Sequence, residues 1–145
     1  MKPTRHIAIS LSISVVWYLI FNSLKLSLAL LLAGVLIDID HLVEYFREVG
    51  FKTDIKRFFY CCENYAFKKN ILILHSWELF VVFSLVVFFM YPDLIIYGIY
   101  IGYSVHLVFD QLSNLSKPLT YSLIYRWKND FQTEKIWQVE LLGSR

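Results

Sequence analysis

The chain has 145 residues, 57% of them hydrophobic and 18% aromatic, with a mean hydropathy of +0.52 and a formal net charge of +2. These totals exclude an ordinary soluble domain, and without a dense Lys/Arg block they exclude nucleic acid as a partner. The length fits one domain, read here as an all-α integral membrane bundle of about four short spans.

The first predicted element is a span at 5–22, apolar except for Ser10, Ser12 and Ser14, whose hydroxyls can bond within the bundle. Lys2 and Arg5 precede it as in a signal peptide, but no small-x-small cleavage site follows, so it reads as an uncleaved helix. Asn22-Ser23 is a turn signal, and a second span covers 24–38. Both runs are short against the ~20 residues that cross ~30 Å of hydrocarbon, which leaves their depth open. The segment 42–70 interleaves Arg47, Lys52, Lys56, Arg57, Lys68 and Lys69 with Phe46, Phe51, Phe58, Phe59, Tyr60 and Phe67. It reads as interfacial, or equally as a solvated loop carrying an amphipathic helix. The adjacent Cys61 and Cys62 make a mutual disulfide awkward, so the pair reads as structural or as a lipidation site in a reduced compartment.

A third span is expected at 71–91, interrupted by His75, Ser76 and Glu78, and Pro92-Asp93 turns it into a fourth at 94–112. Gly98 and Gly102 have the small-xxx-small spacing that lets helices approach closely. The tail 113–145 mixes Tyr121, Tyr125, Trp127 and Trp137 with basic residues and reads as interfacial, its tyrosines as anchors. The excess of Lys and Arg in the N-terminus, the middle segment and the tail puts all three on the cytoplasmic side of an inner (plasma) membrane.

Asp38-Ile39-Asp40-His41 stands out on that map. A helix through Ile37 would end there with a partial negative charge, where Asp has the wrong sign by roughly 0.3–1 kcal/mol. A cation would relieve the conflict; a plain helix end followed by a turn is the other reading. His6, Asp38, Asp40, His41, His75, His106 and Asp110 all fall at the same face of the four spans, and these seven are the candidate ligands. Asp38 with His41, His75 with Glu78, and His106 with Asp110 have helical spacings that place each pair on one side. Asp40 cannot share a helical face with Asp38, so either the helix has already ended there or one of the two serves a second shell or a second ion. Glu78 with His75 inside an apolar run marks function rather than structure. Arg126 could hold an anionic oxygen of a substrate.

The order His6, Asp38-Ile39-Asp40-His41, His75-Ser76 and Gly102-Tyr103-Ser104-Val105-His106-Leu107-Val108-Phe109-Asp110 resembles the membrane-bound predicted metal-dependent hydrolases. That group includes an inner-membrane protein reported to bind the SOS repressor, and it looks like a distant relative of zinc-dependent phospholipase C. The resemblance runs from His6 to about Tyr125. It implies a helical scaffold holding a divalent metal, Zn²⁺ before others, through His6, Asp38 or Asp40, His41, His75, His106 and Asp110. The chain departs from the pattern where Ile71-Leu72-Ile73-Leu74 replaces a His-Arg before the His-Ser, leaving Glu78 as the residue that would substitute.

The expected activity is hydrolysis of a phosphoester or lipid-like small molecule at the cytoplasmic membrane face, with Asp40 or Glu78 as general base. Membrane lipid is an expected partner. The rival reading is a non-catalytic membrane protein with a structural metal site that recruits a protein partner. A carrier with carboxylates along an ion path ranks behind both, because the ionisable residues gather at one face.

Overall fold

Small polar residues punctuate this chain, and the helices start where they stand. The computed structural model describes residues 3–51, 54–90, 93–114 and 118–137, with side chains from Arg5 onward. Its elements are α1 (Pro3–Phe21), α2 (Leu24–Leu36), α3 (Ile39–Val49), α4 (Ile55–Glu63), α5 (Trp77–Phe89), α6 (Leu94–Ser113), α7 (Leu123–Lys128) and α8 (Thr133–Ile136). Among the described residues there is no strand, only an isolated bridge between Lys69 and Gln132. Ser23, Asp54, Ser76, Asp93 and Ser122 each accept a backbone N–H of the helix they precede, supplying partners to otherwise orphaned donors. Asn22, at φ 47°, ends α1 in the left-handed region that Asn tolerates.

The centre of the bundle is α1, α2 and α6, and small residues bring them together. A Cβ on Gly102 would collide with the Leu30 carbonyl and stand 3.0 Å from the Gly34 nitrogen; one on Gly98 would collide with the Leu26 carbonyl. The small-xxx-small pair thus lets α6 ride on the backbone of α2. Between α1 and α2, Ser14 Oγ donates to the Ser27 carbonyl at 2.7 Å. Helix α5 leans on α6 through Phe80, which stacks on Tyr100 with centroids 5.4 Å apart and meets Tyr103 edge-on. Both hairpins are antiparallel, so the start of α1, the end of α2, the start of α5 and the end of α6 share one end of the bundle.

Away from that end, the outer faces are apolar. Leu11, Val15 and Leu19 on α1, Leu28 and Leu32 on α2, and Val82, Leu85 and Phe89 on α5 are all exposed. The run Leu24–Val49, 26 residues through the α2–α3 junction, is the one helical stretch among the described residues long and apolar enough to cross a membrane. Arg5–Phe21 and Trp77–Phe89 are shorter apolar helices.

Three sequence expectations need correction. No helix covers 71–76: the chain there forms a turn with Leu72 at φ 35°, and α5 starts at Trp77 behind the Ser76 cap. Segment 42–70, read as an interfacial loop or a loop carrying an amphipathic helix, holds more helix than either reading, the rest of α3 and all of α4. In the tail, Tyr121, Ile136 and Trp137 form a buried cluster rather than interfacial anchors, although Trp127 is exposed. Lys2, Lys52, Pro92, Lys117 and 138–145 lie outside the described residues.

Candidate metal centre

The shared end of the bundle gathers His6 from α1, Asp38, Asp40 and His41 from the α2–α3 junction, His75 from the 71–76 turn, and His106 and Asp110 from α6. The junction sets the first part of this geometry. Past Leu36 the bonds tighten from i+4 to i+3: Asp38 N–H donates to the Val35 carbonyl at 3.4 Å and His41 N–H to that of Asp38 at 3.1 Å. The Gly34 carbonyl, the i−4 partner that Asp38 leaves unused, accepts from His106 Nδ1 at 2.7 Å. The chain is helical again from Ile39, so Asp40 lies in the first turn of α3, where the dipole favours it. The charge conflict expected at the end of α2 is thereby removed for Asp40.

The second part is the turn that presents His75. The buried Arg126 guanidinium donates from Nη1 to the carbonyls of Ile71 and Leu72, each at 2.8 Å, and from Nη2 to that of His75 at 2.8 Å. Tyr103 OH donates to the Leu74 carbonyl at 2.6 Å, and Leu74 N–H donates to Asp40 Oδ2 at 3.1 Å. Five backbone groups of a six-residue turn, two of them on Leu74, are thus tied to side chains far away in sequence. Asp40 holds the ring as well, with both carboxylate oxygens 3.0 Å from His75 Nδ1.

These contacts assign the tautomers. A carbonyl and a carboxylate only accept, so Nδ1 of His106 and Nδ1 of His75 carry hydrogens, and in the neutral rings each Nε2 presents a lone pair. The two Nε2 atoms nevertheless face each other at 3.0 Å. Two lone pairs at that distance repel; a proton on one of the nitrogens turns the contact into a hydrogen bond, and a metal cation between them turns it into ligation. Asp38 Oδ1 lies 3.4 Å from His75 Nε2 and 3.5 Å from His106 Nε2; Asp110 Oδ2 lies 3.5 and 3.8 Å from the same atoms. Donors about 2.1 Å from a tetrahedral ion stand about 3.4 Å apart, and these five separations lie near that value. His6 Nε2 is 3.0 Å from Asp110 Oδ1, its ring stacked on His106 at 4.1 Å; His41 Nε2 is 3.8 Å from Asp38 Oδ1. The groups His6, His106, Asp110 and Asp38, His41, His75 could each hold a metal ion, so the donors present fit either one or two.

A cavity of about 330 Å³ opens on the cluster, lined by His6, Asp38, His41, His75 and Asp110 and walled by α4 and the tail. Burial pushes the Cys62 thiol up to about 12 and the Tyr65 phenol likewise to about 12, so both walls stay neutral at pH 7. Burial also drives the Tyr121 phenol well above its ordinary value.

The structure therefore brings together His6, Asp38, His41, His75, His106 and Asp110 as potential donors. Asp40 stands behind His75, orienting it and too engaged to serve as a base at the reacting centre. Glu78 is not in the cluster. Its carboxylate accepts from Ser122 Oγ at 2.5 Å and from the N–H groups of Leu123 at 2.8 Å and Ile124 at 3.2 Å, capping α7, because the helix that would align it with His75 does not exist. Arg126 holds the 71–76 turn and does not line the cavity, so it is no substrate anchor. Sequence reasoning missed Gly34, Tyr103 and the positioning role of Arg126, none of which has a local signal. Compared with known family models, curated proteins and solved structures, the chain matches none.

Proposed function

We propose that the chain is a multi-pass membrane protein whose end-of-bundle centre binds a divalent cation, Zn²⁺ before others, and hydrolyses a phosphoester of lipid-like character. The kind of enzyme is the one its motif order resembles. The observation that carries the reading is the pair of Nε2 atoms facing at 3.0 Å, each with its Nδ1 already committed as a donor. Ring hydrogen bonds of this sort orient metal-ligating histidines and raise their basicity. The apolar outer faces of α1, α2 and α5 support the membrane setting. Arg47, Lys56, Arg57, Lys68, Lys69, Lys128 and Lys135 follow the helices at the site's end of the bundle, which supports a cytoplasmic site and cytoplasmic termini.

When bound, a divalent cation polarises a phosphoryl oxygen and lowers the pKa of a coordinated water toward ~7. The chain's own groups do the rest. Asp40 and the Gly34 carbonyl keep the two central imidazoles in the ligand tautomer. His41 lines the cavity 3.8 Å from Asp38 with its ring edge-on to His75, and would add a donor to the group those two residues form.

One observation favours a second reading, a structural ion with no catalysis: four protein donors are enough to close a tetrahedral shell. Elemental analysis of the purified protein and its His106→Ala and Asp40→Asn variants, run alongside hydrolysis of bis(p-nitrophenyl) phosphate, decides between them. The hydrolase reading expects stoichiometric metal lost in His106→Ala, 10–100-fold weaker metal binding in Asp40→Asn, and turnover that requires the metal. Metal without turnover leaves the structural reading, and metal content unchanged by His106→Ala overturns both.

A further inference from the structure

The two carboxylates that face the His75 and His106 nitrogens are held differently. The Asp38 side chain is 25% exposed, whereas that of Asp110 is 4% exposed and tethered. Asp110 Oδ2 lies 3.5 and 3.8 Å from the two Nε2 atoms, while Oδ1 meets His6 Nε2 at 3.0 Å and Asn114 Nδ2 at 3.4 Å. One oxygen is offered to the cluster and the other is occupied. The Asn114 amide nitrogen also donates to Tyr121 OH. An amide nitrogen accepts nothing, so the phenol accepts there and keeps its own hydrogen for another group. That group is Asp110, to which the Tyr121 side chain hydrogen-bonds.

The phenol is itself fixed. Tyr121 is 3% exposed; its carbonyl accepts from Trp77 N–H at 3.0 Å, and its ring meets Trp137 edge-on at 5.8 Å. Trp77 Nε1 donates to Gln111 Oε1 at 3.2 Å, so the loop that carries Tyr121 is tied to α5 and α6 together. A phenylalanine ring would fill the same space, and what the hydroxyl adds is a hold on the carboxylate. The last torsion of an aspartate is broad and two-fold, so an untethered carboxylate swings between offering one oxygen and offering both.

We propose that Tyr121 is a positioning residue of the metal centre: with Asn114 it holds the Asp110 carboxylate so that a single oxygen, Oδ2, is offered to an ion between His75 and His106. The inference rests on the metal reading of the centre and not on hydrolysis. Tyr121 and Asn114 act through Asp110, in the way that hydrogen-bond partners of a ligating carboxylate set its orientation and the affinity of the site. Both residues also line the cavity, so contact with a substrate is the rival role. Metal binding in the absence of any ester separates the two.

The test is titration of the full-length protein in micelles with Co²⁺, whose visible absorption reports the number and geometry of its donors, alongside Zn²⁺ affinity by chelator competition. Tyr121→Phe should bind Zn²⁺ about 10–100-fold more weakly. Its Co²⁺ band should move away from the wild-type position as the second Asp110 oxygen enters the shell, while the metal-free variant melts where the metal-free wild type does. Asn114→Ala removes the other tether and should move the band in the same direction; it also serves if Tyr121→Phe fails to assemble. Affinity within twofold of wild type with a superimposable Co²⁺ band overturns the proposal. A lowered melting temperature with an unchanged band overturns it as well, because that is the signature of a tyrosine that only packs. Wild-type protein that takes up no Co²⁺ or Zn²⁺ removes the metal reading and this role with it.

Discussion

Replacing Arg126 by Lys keeps the charge and removes the fork. In the native chain the guanidinium serves the carbonyls of Ile71, Leu72 and His75 at 2.8 Å each, and a single ammonium at the end of a flexible stem reaches only part of that set. Hydrogen bonds to a charged group contribute about 1.5–3 kcal/mol each, so losing two removes about 3–6 kcal/mol before relaxation and entering water return some of it. A net loss of about 2–4 kcal/mol in stability is expected. Because the turn carries His75 into the cluster, metal affinity should fall 10–100-fold as well, the usual cost of disturbing what orients a ligand. Competition with a chromophoric chelator measures the affinity, and thermal unfolding in micelles measures the stability. If Arg126→Lys binds metal within twofold of wild type and melts at the same temperature, the turn is held by something else and the positioning role is wrong.

Gly102→Ala places a methyl against the Leu30 carbonyl and should destabilise the α2–α6 pair by about 1–3 kcal/mol, read by thermal unfolding against Leu28→Ala on the exposed face. Glu78→Gln should weaken the cap on α7 by about 1–2 kcal/mol and speed proteolysis of the tail, while metal stoichiometry stays at the wild-type value. The Cys62 and Tyr65 values, both pushed up to about 12 by burial, set an alkaline limit. Each group is neutral when folded and ionises earlier when unfolded, near ~8.5 for the thiol and ~10 for the phenol. Their contribution is complete below those values and disappears as pH rises toward about 12. Melting temperature should therefore hold to about pH 8.5 and then decline, and Cys62→Ala should reduce the decline.

The donors were legible because their spacing is local and their placement follows from counting helices. Asp38 with His41 and His106 with Asp110 needed only helical periodicity, and four antiparallel elements bring the ends together without further information. The turn at 71–76 was not legible. Ile71 to Leu74 has the composition of a helix, and what opens it is Arg126, Asp40 and Tyr103, up to 55 residues away. The error over Glu78 follows from that one, since the i+3 argument assumed a helix through His75. A signal against it was present: Ser76 followed by an acid two positions on is a helix start. The dipole argument over Asp40 failed for a similar reason, because it took the end of the apolar run as the end of helix, and the chain resumes helix at Ile39.

Gly34 has two jobs in one peptide unit. Its nitrogen lies where α6 crosses at Gly102, and its carbonyl fixes the His106 ring. A cation held by His106 would therefore be coupled to the helix crossing, and reciprocity follows: an ion that prefers the oriented imidazole also favours the closed crossing, by an amount set by its free concentration relative to its dissociation constant. A chelator added to the metal-loaded protein should loosen the crossing of α2 and α6.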